Sequence, residues 1–428
     1  MIKLALIVNL EDSLEKFFDF FEENKNKIEK TTSQKLEITY ILNDGADKIL
    51  NFSAAEKYKK VEITADYHKI LVDSEIDIIV DLSRHRPSAE YLLEALKQQK
   101  AVITTNSKVI AENYLEIKNL EKKYQSKVYF SAVFSPLPLK TLADNFYALD
   151  ELKELNAVLN STTNYILSEM EKNTVSMKET IEQARELSYT EENTDLDLNG
   201  LDSLNKIVLL ADLLCSTALD PESINARGIK GITSYDLIYA AELGYKIKLI
   251  CTIKKEAGKI YLGVRPNLVA QNSYLASINN NSNGVEVYTE YNSKTTFQAE
   301  NSDSASANLM AHDLIKAVEF KAAKKESAFD FDLADLNSAD LYQKEQSSFY
   351  IRLQLKKNEE IIREIKRIFS EKNLADLILH DNLTETPLLP VIIMTKKIKE
   401  KDLEKLLEEV ENLEGVLTVN NIIAVKAD

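Results

Sequence analysis

The residues best suited to chemistry are a lysine and three acidic side chains in one short stretch of the chain. Lys206 follows Asp202 by four positions, so the two side chains share one face of a predicted helix that Asn199 is placed to cap. An ammonium group stabilises an oxygen on which negative charge builds, and it can give that oxygen a proton. Carboxylates at Glu191 and Asp197 are placed to bind a small cationic group and to orient the lysine. The stretch therefore predicts a site for acid–base chemistry.

A purely structural explanation of the same spacing also exists. Asp202 and Lys206 would form an exposed ion pair on one helix, which is worth about 0.2–0.5 kcal/mol. Asp202 would then be the third-position acid of a capping box that begins at Asn199. Spacing alone favours this explanation, and the longer motif to which both residues belong, described below, reverses the balance.

The hydrophobic pattern predicts the elements that position this stretch. Residues 1–138 alternate short apolar strands with helical patterns, which is typical of α/β folds with a doubly wound parallel sheet and crossover helices. The predicted strands are Leu4–Val8, Leu36–Leu42, Ile76–Leu82, Ala101–Thr105 and Val128–Val133.

Two further domains are predicted downstream. Residues 139–330 mix helical and strand-like patterns, which indicates an α+β domain with its own core. Its clearest elements are the helices Met177–Leu187 and Leu201–Ser216 and the strands Ile260–Val264 and Gly284–Tyr288. After a polar stretch, residues 346–428 follow the order strand, helix, strand, strand, helix, strand. This βαββαβ order is typical of a ferredoxin-like domain.

Composition excludes some classes of partner. The 69 acidic side chains exceed the 53 basic ones, and the resulting net charge of −16 repels polyphosphate backbones, so we expect no nucleic acid partner. We also expect no membrane contact, because no apolar run approaches the length of a membrane span. Cys215 and Cys251 each lie in an apolar stretch, which suits reduced thiols in a cytoplasmic protein. The four scattered histidines and two distant cysteines predict no metal site.

The stretch around Lys206 is also a sequence motif. Residues 188–206 read SYTEENTDLDLNGLDSLNK, which resembles the homoserine dehydrogenase signature GYAEADPTxDVxGxDAAxKL; the tyrosine, the first glutamate, two aspartates, the glycine and the lysine fall in register. Residues 159–167, LNSTTNYIL, are similar to the family's NGTTNYIL, and residues 102–106, VITTN, resemble its VVTAN. Residues 227–229 and 245–250 resemble the family's GI…GYxIKLI. The resemblance covers nearly the whole chain.

The resemblance implies both a fold and an activity. The fold is a Rossmann-like nucleotide-binding domain, a catalytic and dimerisation domain, and a C-terminal ACT regulatory domain. The activity is the NAD(P)H-dependent interconversion of L-aspartate 4-semialdehyde and L-homoserine, in threonine and methionine biosynthesis. The protein would then act on a small substrate as a homodimer or a larger homo-oligomer.

The resemblance also implies roles for individual residues. Lys206 is the expected catalytic residue, because hydride addition to the aldehyde builds negative charge on an oxygen that an ammonium stabilises and protonates. The expected substrate-binding residues are Glu191, Asp197, Asp202, Tyr189 and Thr163. The expected cofactor-binding residues are Asn9, Leu10, Thr104 and Asn106.

The loops that would hold the cofactor lack the family's glycines. Where the family has GxGxxG, this chain has Asn9, Glu11 and Leu14, although glycine there lets the backbone approach the pyrophosphate. Glu11 and Asp12 add two carboxylates at that place, and two like charges about 4 Å apart repel by roughly 4 kcal/mol at an effective dielectric near 20. Further glycine turns of the family are replaced at residues 83–85, 134–138 and 299–301.

Two main hypotheses follow from these departures. The chain is either a working dehydrogenase with a weak or NAD-preferring cofactor site, or a homologue that lacks hydride transfer and serves as a regulatory or partner subunit. A third hypothesis, an amino-acid sensor built on the ACT domain, is weakened because Lys356–Glu360 lacks the glycine that normally lines the effector pocket.

Overall fold

The computed structural model describes residues 1–8, 11–43, 61–83, 88–187, 189–190, 194–323, 346–379 and 388–426. The chain divides into two compact units. The first unit is formed by Met1–Glu151, Asn205–Ser223 and Ala299–Ala339. The second unit is formed by Leu152–Leu204, Ile224–Gln298 and Asp340–Asp428.

The N-terminal part of the chain forms a six-stranded parallel sheet. Its strands are β1 (Ile2–Val8), β2 (Leu36–Asn43), β3 (Glu62–Thr64), β4 (Ile76–Asp81), β5 (Ala101–Thr104) and β6 (Val128–Tyr129). Its helices are α1 (Glu11–Thr32), α2 (Tyr67–Val72), α3 (Ser88–Lys97), α4 (Ser107–Glu112), α5 (Tyr114–Tyr124) and α6 (Leu139–Thr141), which continues as a π-helical turn over Leu142–Phe146. The strand order is β3-β2-β1-β4-β5-β6, with every pair parallel. The predicted doubly wound sheet is confirmed, and its order reverses between β1 and β4, where such sheets bind ligands.

In the described residues, the middle of the chain adds five strands and seven α-helices. The strands are β7 (Leu152–Val158), β8 (Tyr245–Glu256), β9 (Lys259–Ala270), β10 (Ser282–Thr289) and β11 (Ser293–Glu300). The helices are α7 (Ser161–Asn173), α8 (Met177–Glu186), α9 (Asp195–Leu198), α10 (Leu201–Cys215), α11 (Ser234–Glu242), α12 (Tyr274–Ser277) and α13 (Asp303–Ala323). Among the described residues, no helix has the length and apolar character needed to cross a bilayer.

The C-terminal part follows the predicted βαββαβ order. Its elements are β12 (Ser348–Lys356), α14 (Glu359–Asn373), β13 (Leu374–Leu379), β14 (Leu388–Thr395), α15 (Glu400–Glu411) and β15 (Val416–Val425). The antiparallel strand order β15-β12-β14-β13 is that of a ferredoxin-like sheet. Apolar side chains of both helices, including Ile365, Phe369 and Leu403, pack on one face of it.

One sheet of nine strands runs through the whole second unit. Its order is β11-β10-β7-β8-β9-β15-β12-β14-β13, so the C-terminal strands continue the sheet of the middle segment. The junction is a short parallel pairing of β15 with β9, in which Ala424 lies beside Asn267 and Val425 beside Leu268. The backbone N–H of Lys426 extends it with a 2.9 Å hydrogen bond to the carbonyl of Leu268.

Packing explains where the structure differs from the sequence-based expectations. The strand predicted at Val128–Val133 ends at Tyr129, because Ser131–Phe134 turns into a 3₁₀ helix. There the backbone N–H and the hydroxyl of Ser131 donate to the buried carboxylate of Asp313. Residues 205–223, from the middle of the sequence, belong to the first compact unit.

Helix α13 belongs to the first unit as well. Its residues Leu309, Leu314 and Val318 share a core with Phe17 and Phe21 of α1 and with the parallel sheet. A long helix from the middle of the sequence therefore completes the N-terminal core, and local pattern alone does not show this.

The residue expected to cap α10 is placed differently. Asn199 ends the short helix α9, and α10 begins two residues later at Leu201. Gly200 stands between the two helices with φ +77°, a conformation that suits glycine. Asp202 is therefore the second residue of α10 and not the third-position acid of a capping box, which removes that part of the structural explanation.

Candidate active site

Asn160 joins the two aspartates of the predicted site. It precedes α7, where its side-chain Oδ1 accepts a 2.8 Å hydrogen bond from the backbone N–H of Thr163 and caps the helix. Its Nδ2 donates to Oδ1 of Asp197 at 2.6 Å and to Oδ2 of Asp202 at 3.0 Å. Because Asn160 is buried and both ends of its amide are used, it fixes the two carboxylates against α7. Asn160 was not predicted as a site residue.

One amide nitrogen holds the two carboxylates close together. Oxygens of Asp197 and Asp202 lie within hydrogen-bond distance of the same nitrogen. Their two negative charges therefore add to the electrostatic potential at one place. Both side chains are partly buried, which weakens screening by water. Lys206 follows Asp202 by one turn on α10 and is also partly buried. The spacing of the helix places the ammonium on the same face as the carboxylate.

A close backbone contact holds the helix that carries Asp197. The backbone N–H of Ile229 donates to the carbonyl of Leu198 at 2.8 Å. A β-carbon on Gly228 would lie 1.8 Å from that carbonyl oxygen, so only glycine allows this approach. Lys230 adds a 2.6 Å ion pair with Asp195 at the start of α9. Residues 228–230 therefore hold α9, the helix that carries Asp197, in place.

The other predicted substrate residues have structural contacts of their own. The hydroxyl of Thr163, which is buried, donates to the carbonyl of Asn160 at 3.1 Å and so strengthens the cap of α7. Tyr189 is 40% exposed and packs edge-on against Tyr165, with ring centroids 5.0 Å apart. Glu191 lies outside the described residues. Contact of these three side chains with a substrate stays a prediction.

The carboxyl edge of the parallel sheet carries two of the predicted cofactor residues. The buried hydroxyl of Thr104 donates to Oδ2 of Asp81 at 3.1 Å and accepts from the backbone N–H of Asn106 at 3.1 Å. Oδ1 of Asn106 caps α4 by accepting from the backbone N–H of Val109 at 3.2 Å. Both residues therefore shape the ends of β4 and β5, and their contact with a cofactor stays a prediction.

The strand order at this edge is the one at which parallel sheets of this kind bind dinucleotides. Asp81, at the end of β4, pairs with Ile7 of β1, which places it where the strand order reverses. The chain then enters the 22-residue helix α1 at Glu11, shortly after β1 ends at Val8. The first-turn N–H groups of such a helix suit a pyrophosphate. Asn9 and Leu10, the remaining predicted cofactor residues, lie outside the described residues.

Comparisons with known proteins agree with this arrangement. A family model described as homoserine dehydrogenase matches residues 138–315, and one described as homoserine dehydrogenase, NAD binding domain, matches residues 18–131. A homoserine dehydrogenase of Methanocaldococcus jannaschii is 30% identical over 246 residues, which cover 54% of this chain and 71% of that protein. One of Bacillus subtilis is 26% identical over 392 residues, 87% of this chain and 88% of that protein.

A solved structure extends the likeness to the whole chain. The crystal structure of a homoserine dehydrogenase from Thiobacillus denitrificans matches with a TM-score of 0.85, over 99% of this chain and 98% of that one. At 22% sequence identity this match shows the shared fold. Taken with the two family models, these findings place the chain in the homoserine dehydrogenase family of NAD(P)-dependent oxidoreductases.

Proposed function

We propose that this chain catalyses the NAD(P)H-dependent interconversion of L-aspartate 4-semialdehyde and L-homoserine. The observation that carries the proposal is the pair of carboxylates, Asp197 and Asp202, held on one amide of Asn160. Asp202 lies one helical turn before Lys206 on α10. Such a site offers a place for a small cation and a proton donor beside it. An amino-acid aldehyde needs both.

The carboxylates select and orient the substrate. Aspartate semialdehyde and homoserine each carry an α-ammonium group, which forms charge-assisted hydrogen bonds with carboxylates. Asp197 and Asp202 supply two such acceptors, and Glu191 is proposed as a third. With the ammonium fixed, the carbonyl carbon is held at a set distance from the neighbouring groups, which removes most of the entropic cost of reaction.

Lys206 stabilises the charge on the substrate oxygen and transfers a proton to or from it. When bound, the reduced nicotinamide supplies the hydride. As the carbonyl is reduced, negative charge builds on its oxygen, and the ammonium of Lys206 stabilises that charge and gives up a proton. In the reverse direction the amine of Lys206 takes the proton of the homoserine hydroxyl.

The cofactor is proposed to lie at the carboxyl edge of the parallel sheet. The backbone of Asn9 and Leu10 and the first turn of α1 would hold the pyrophosphate, and Thr104 and Asn106 would line the pocket. Because Glu11 and Asp12 follow directly in the sequence, we propose that the affinity for NAD(P) is lower than in a glycine-rich loop.

We propose that three segments of the chain have different roles. Residues 1–138 bind the cofactor, residues 139–330 carry the substrate site and the dimer contact, and residues 346–428 form an ACT regulatory domain. The ranges of the two family models and the ferredoxin-like strand order support this division. We further propose a homodimer in the cytoplasm, in keeping with Cys215 and Cys251, which form no disulfide among the described residues. Light scattering on the purified protein measures the oligomeric state.

Replacement of Lys206 tests the proposed activity. We expect the protein to oxidise L-homoserine with NAD⁺ or NADP⁺, and Lys206→Ala to lower kcat by about 100-fold or more. The measurement is the formation of reduced cofactor, with melting temperatures recorded for each variant. Lys178→Ala, at an exposed lysine of α8, is the control and should leave kcat unchanged.

The partner-subunit hypothesis predicts a different result. It rests on the missing glycines, whereas the family models match both the NAD-binding and the catalytic parts of the chain. A folded wild-type protein that binds homoserine but forms no reduced cofactor would contradict our proposal and support that alternative.

A further inference from the structure

One buried carboxylate joins the C-terminal strands to α11. Asp236, in the first turn of α11, is fully buried. Its Oδ1 accepts hydrogen bonds from Nε of Arg352 at 2.6 Å and from the hydroxyl of Tyr350 at 3.1 Å. Its Oδ2 accepts from Nη2 of Arg352 at 3.1 Å and from Nδ2 of Asn421 at 2.7 Å. The backbone N–H and the hydroxyl of Thr233 also donate to Oδ2, at 2.9 and 2.8 Å.

A buried ion pair such as this one needs more hydrogen-bond partners than an ion pair on the surface. A carboxylate with no exposed surface is tolerated only if it is paired and hydrogen-bonded, and the two-point contact of Arg352 provides both. Arg352 of β12 and Asn421 of β15 are neighbours across the sheet, so Asp236 contacts two adjacent strands at once. The start of α11 is therefore fixed relative to these strands.

The same contact reaches the segment that supports the substrate site. Nδ2 of Asn421 also donates to the carbonyl of Gly231 at 2.7 Å. The backbone N–H of Ile232 donates to the carbonyl of Ile229 at 2.9 Å, which closes a tight turn. Ile229 in turn donates to Leu198 of α9, the helix that carries Asp197. Residues 228–233 are thus held by the C-terminal strands at one end and hold α9 at the other.

A second contact fixes the other side of this segment. Arg227, just before Gly228, forms a 2.8 Å ion pair with Glu400 at the start of α15. Both side chains are more than two-fifths exposed, so this pair contributes less than the buried one. It nevertheless shows that residues 227–236 contact the C-terminal part of the chain twice.

We infer that Arg352, with Tyr350 and Asn421, positions Asp197 in the substrate site through residues 228–236. The inference rests on the proposed function. Arg352 acts as a positioning residue, because its guanidinium contacts Asp236 and Thr233 and these lead to α9 through hydrogen bonds already described. Loss of Arg352 lets residues 228–233 relax, so Asp197 and Asp202 no longer converge on one ammonium group. Homoserine then binds more weakly.

Calorimetry on the full-length protein tests the inference. We expect Arg352→Ala to weaken L-homoserine binding by about 2- to 30-fold, the range that coupling through packed networks usually gives. The KM for homoserine should rise, while the KM for NAD(P)⁺ stays the same. Arg363→Ala removes an exposed arginine of α14 in the same part of the chain and should change neither value.

A double-mutant cycle distinguishes positioning from general destabilisation. If Arg352 acts through Asp197, Arg352→Ala adds no further loss of homoserine affinity in an Asp197→Asn background. Additive losses, or an unchanged affinity in Arg352→Ala, would overturn the inference. If Arg352→Ala does not fold, Asn421→Ala, which removes one donor to Asp236 and the bond to Gly231, takes its place with the same expected outcomes.

The proposed function and this inference fail in different ways. A wild-type protein that binds no homoserine contradicts the proposed function. Wild-type binding that neither Arg352→Ala nor Asn421→Ala weakens contradicts the inference alone.

Discussion

A neutral amide holds the two acidic side chains of the predicted site close together. Asn160 donates to an oxygen of Asp197 and to an oxygen of Asp202 without adding a positive charge. It therefore does not offset the attraction that the pair is proposed to have for a substrate ammonium. A lysine or arginine at position 160 would neutralise that attraction. The asparagine thus gives the carboxylates fixed positions and adds no charge of its own.

The sequence indicated only part of this arrangement. The spacing of Asp202 and Lys206 follows from helix geometry and was readable directly. Asn160 lies 37 and 42 positions before its two partners, so its role depends on tertiary contacts that no local pattern reveals. A signal was nevertheless present, since Asn160 begins the motif NSTTNYIL and is a favourable N-cap residue.

Asp212, on α10, gives a stability prediction at the residue scale. Burial raises the pKa of this carboxyl to about 7, although hydrogen bonds from Leu219 and Thr217 to Oδ1 oppose the rise. Among the described residues, Oδ2 has no hydrogen-bond partner. The folded protein therefore keeps a proton on Asp212 that the unfolded chain releases, and the contribution of this group to the free energy of unfolding falls as the pH rises from 3.8 to about 7.

Asp212→Asn should remove this pH dependence. The amide keeps an acceptor for both hydrogen bonds and carries no charge, so we expect unfolding to require about 1–3 kcal/mol more at pH 8 and little more at pH 4. Urea unfolding at the two pH values measures the difference. Asp220→Asn, at an exposed aspartate, is the matched control. A gain for Asp212→Asn of the same size at both pH values would contradict this explanation.

At the scale of elements, the turn from α9 to α10 depends on a close backbone approach. Gly228→Ala would place a β-carbon 1.8 Å from the carbonyl oxygen of Leu198, so the backbone must move and α9 must shift with it. We expect a loss of stability of about 1–3 kcal/mol and weaker homoserine binding. Thermal melting and calorimetry measure the two effects.

A second glycine provides the control for that substitution. No atom outside its neighbours lies within 4 Å of a β-carbon built on Gly258, although its φ of +78° strains any side chain. Gly258→Ala should therefore lower stability modestly and leave homoserine affinity unchanged. Equal homoserine affinities for wild type and Gly228→Ala would show that α9 does not depend on this contact.

Element types were predictable where the pattern was strong. The near-continuous apolar runs of β1 and β4 are typical of strands covered on both faces, and the structure confirms both. The predicted end of β6 at Val133 was wrong, because Ser131 donates its backbone N–H to the side chain of Asp313 on α13 and so does not continue the strand. Boundaries set by partners distant in sequence cannot be read from a local window.

At the scale of the whole molecule, the C-terminal strands are part of the second unit's fold. Removal of residues 346–428 would take Arg352, Tyr350 and Asn421 from the buried carboxylate of Asp236, and the loss of a buried partner costs about 3–5 kcal/mol. It would also uncover the edge of β9. We expect the truncated chain to be largely insoluble or to melt at a lower temperature.

Soluble yield and thermal melting check this expectation. A chain that lacks only Ala427 and Asp428 is the control, because the last pairing with β9 is made by Lys426. A truncated protein with the wild-type melting temperature and yield would show that the two parts of the sheet fold separately. The continuity of the sheet was not predictable, since the pairing of β15 with β9 involves two residues on each strand.

The position of β15 beside β9 also matters while the chain is being made. The strands of the parallel sheet all precede residue 130, and α13, which completes their core, ends at Ala323. β9 must wait for a neighbour encoded more than a hundred codons later. At roughly 5–20 residues per second that delay is on the order of 10 seconds. In the interval before residues 416–425 leave the ribosome, this edge of β9 is therefore open to wrong strand pairing.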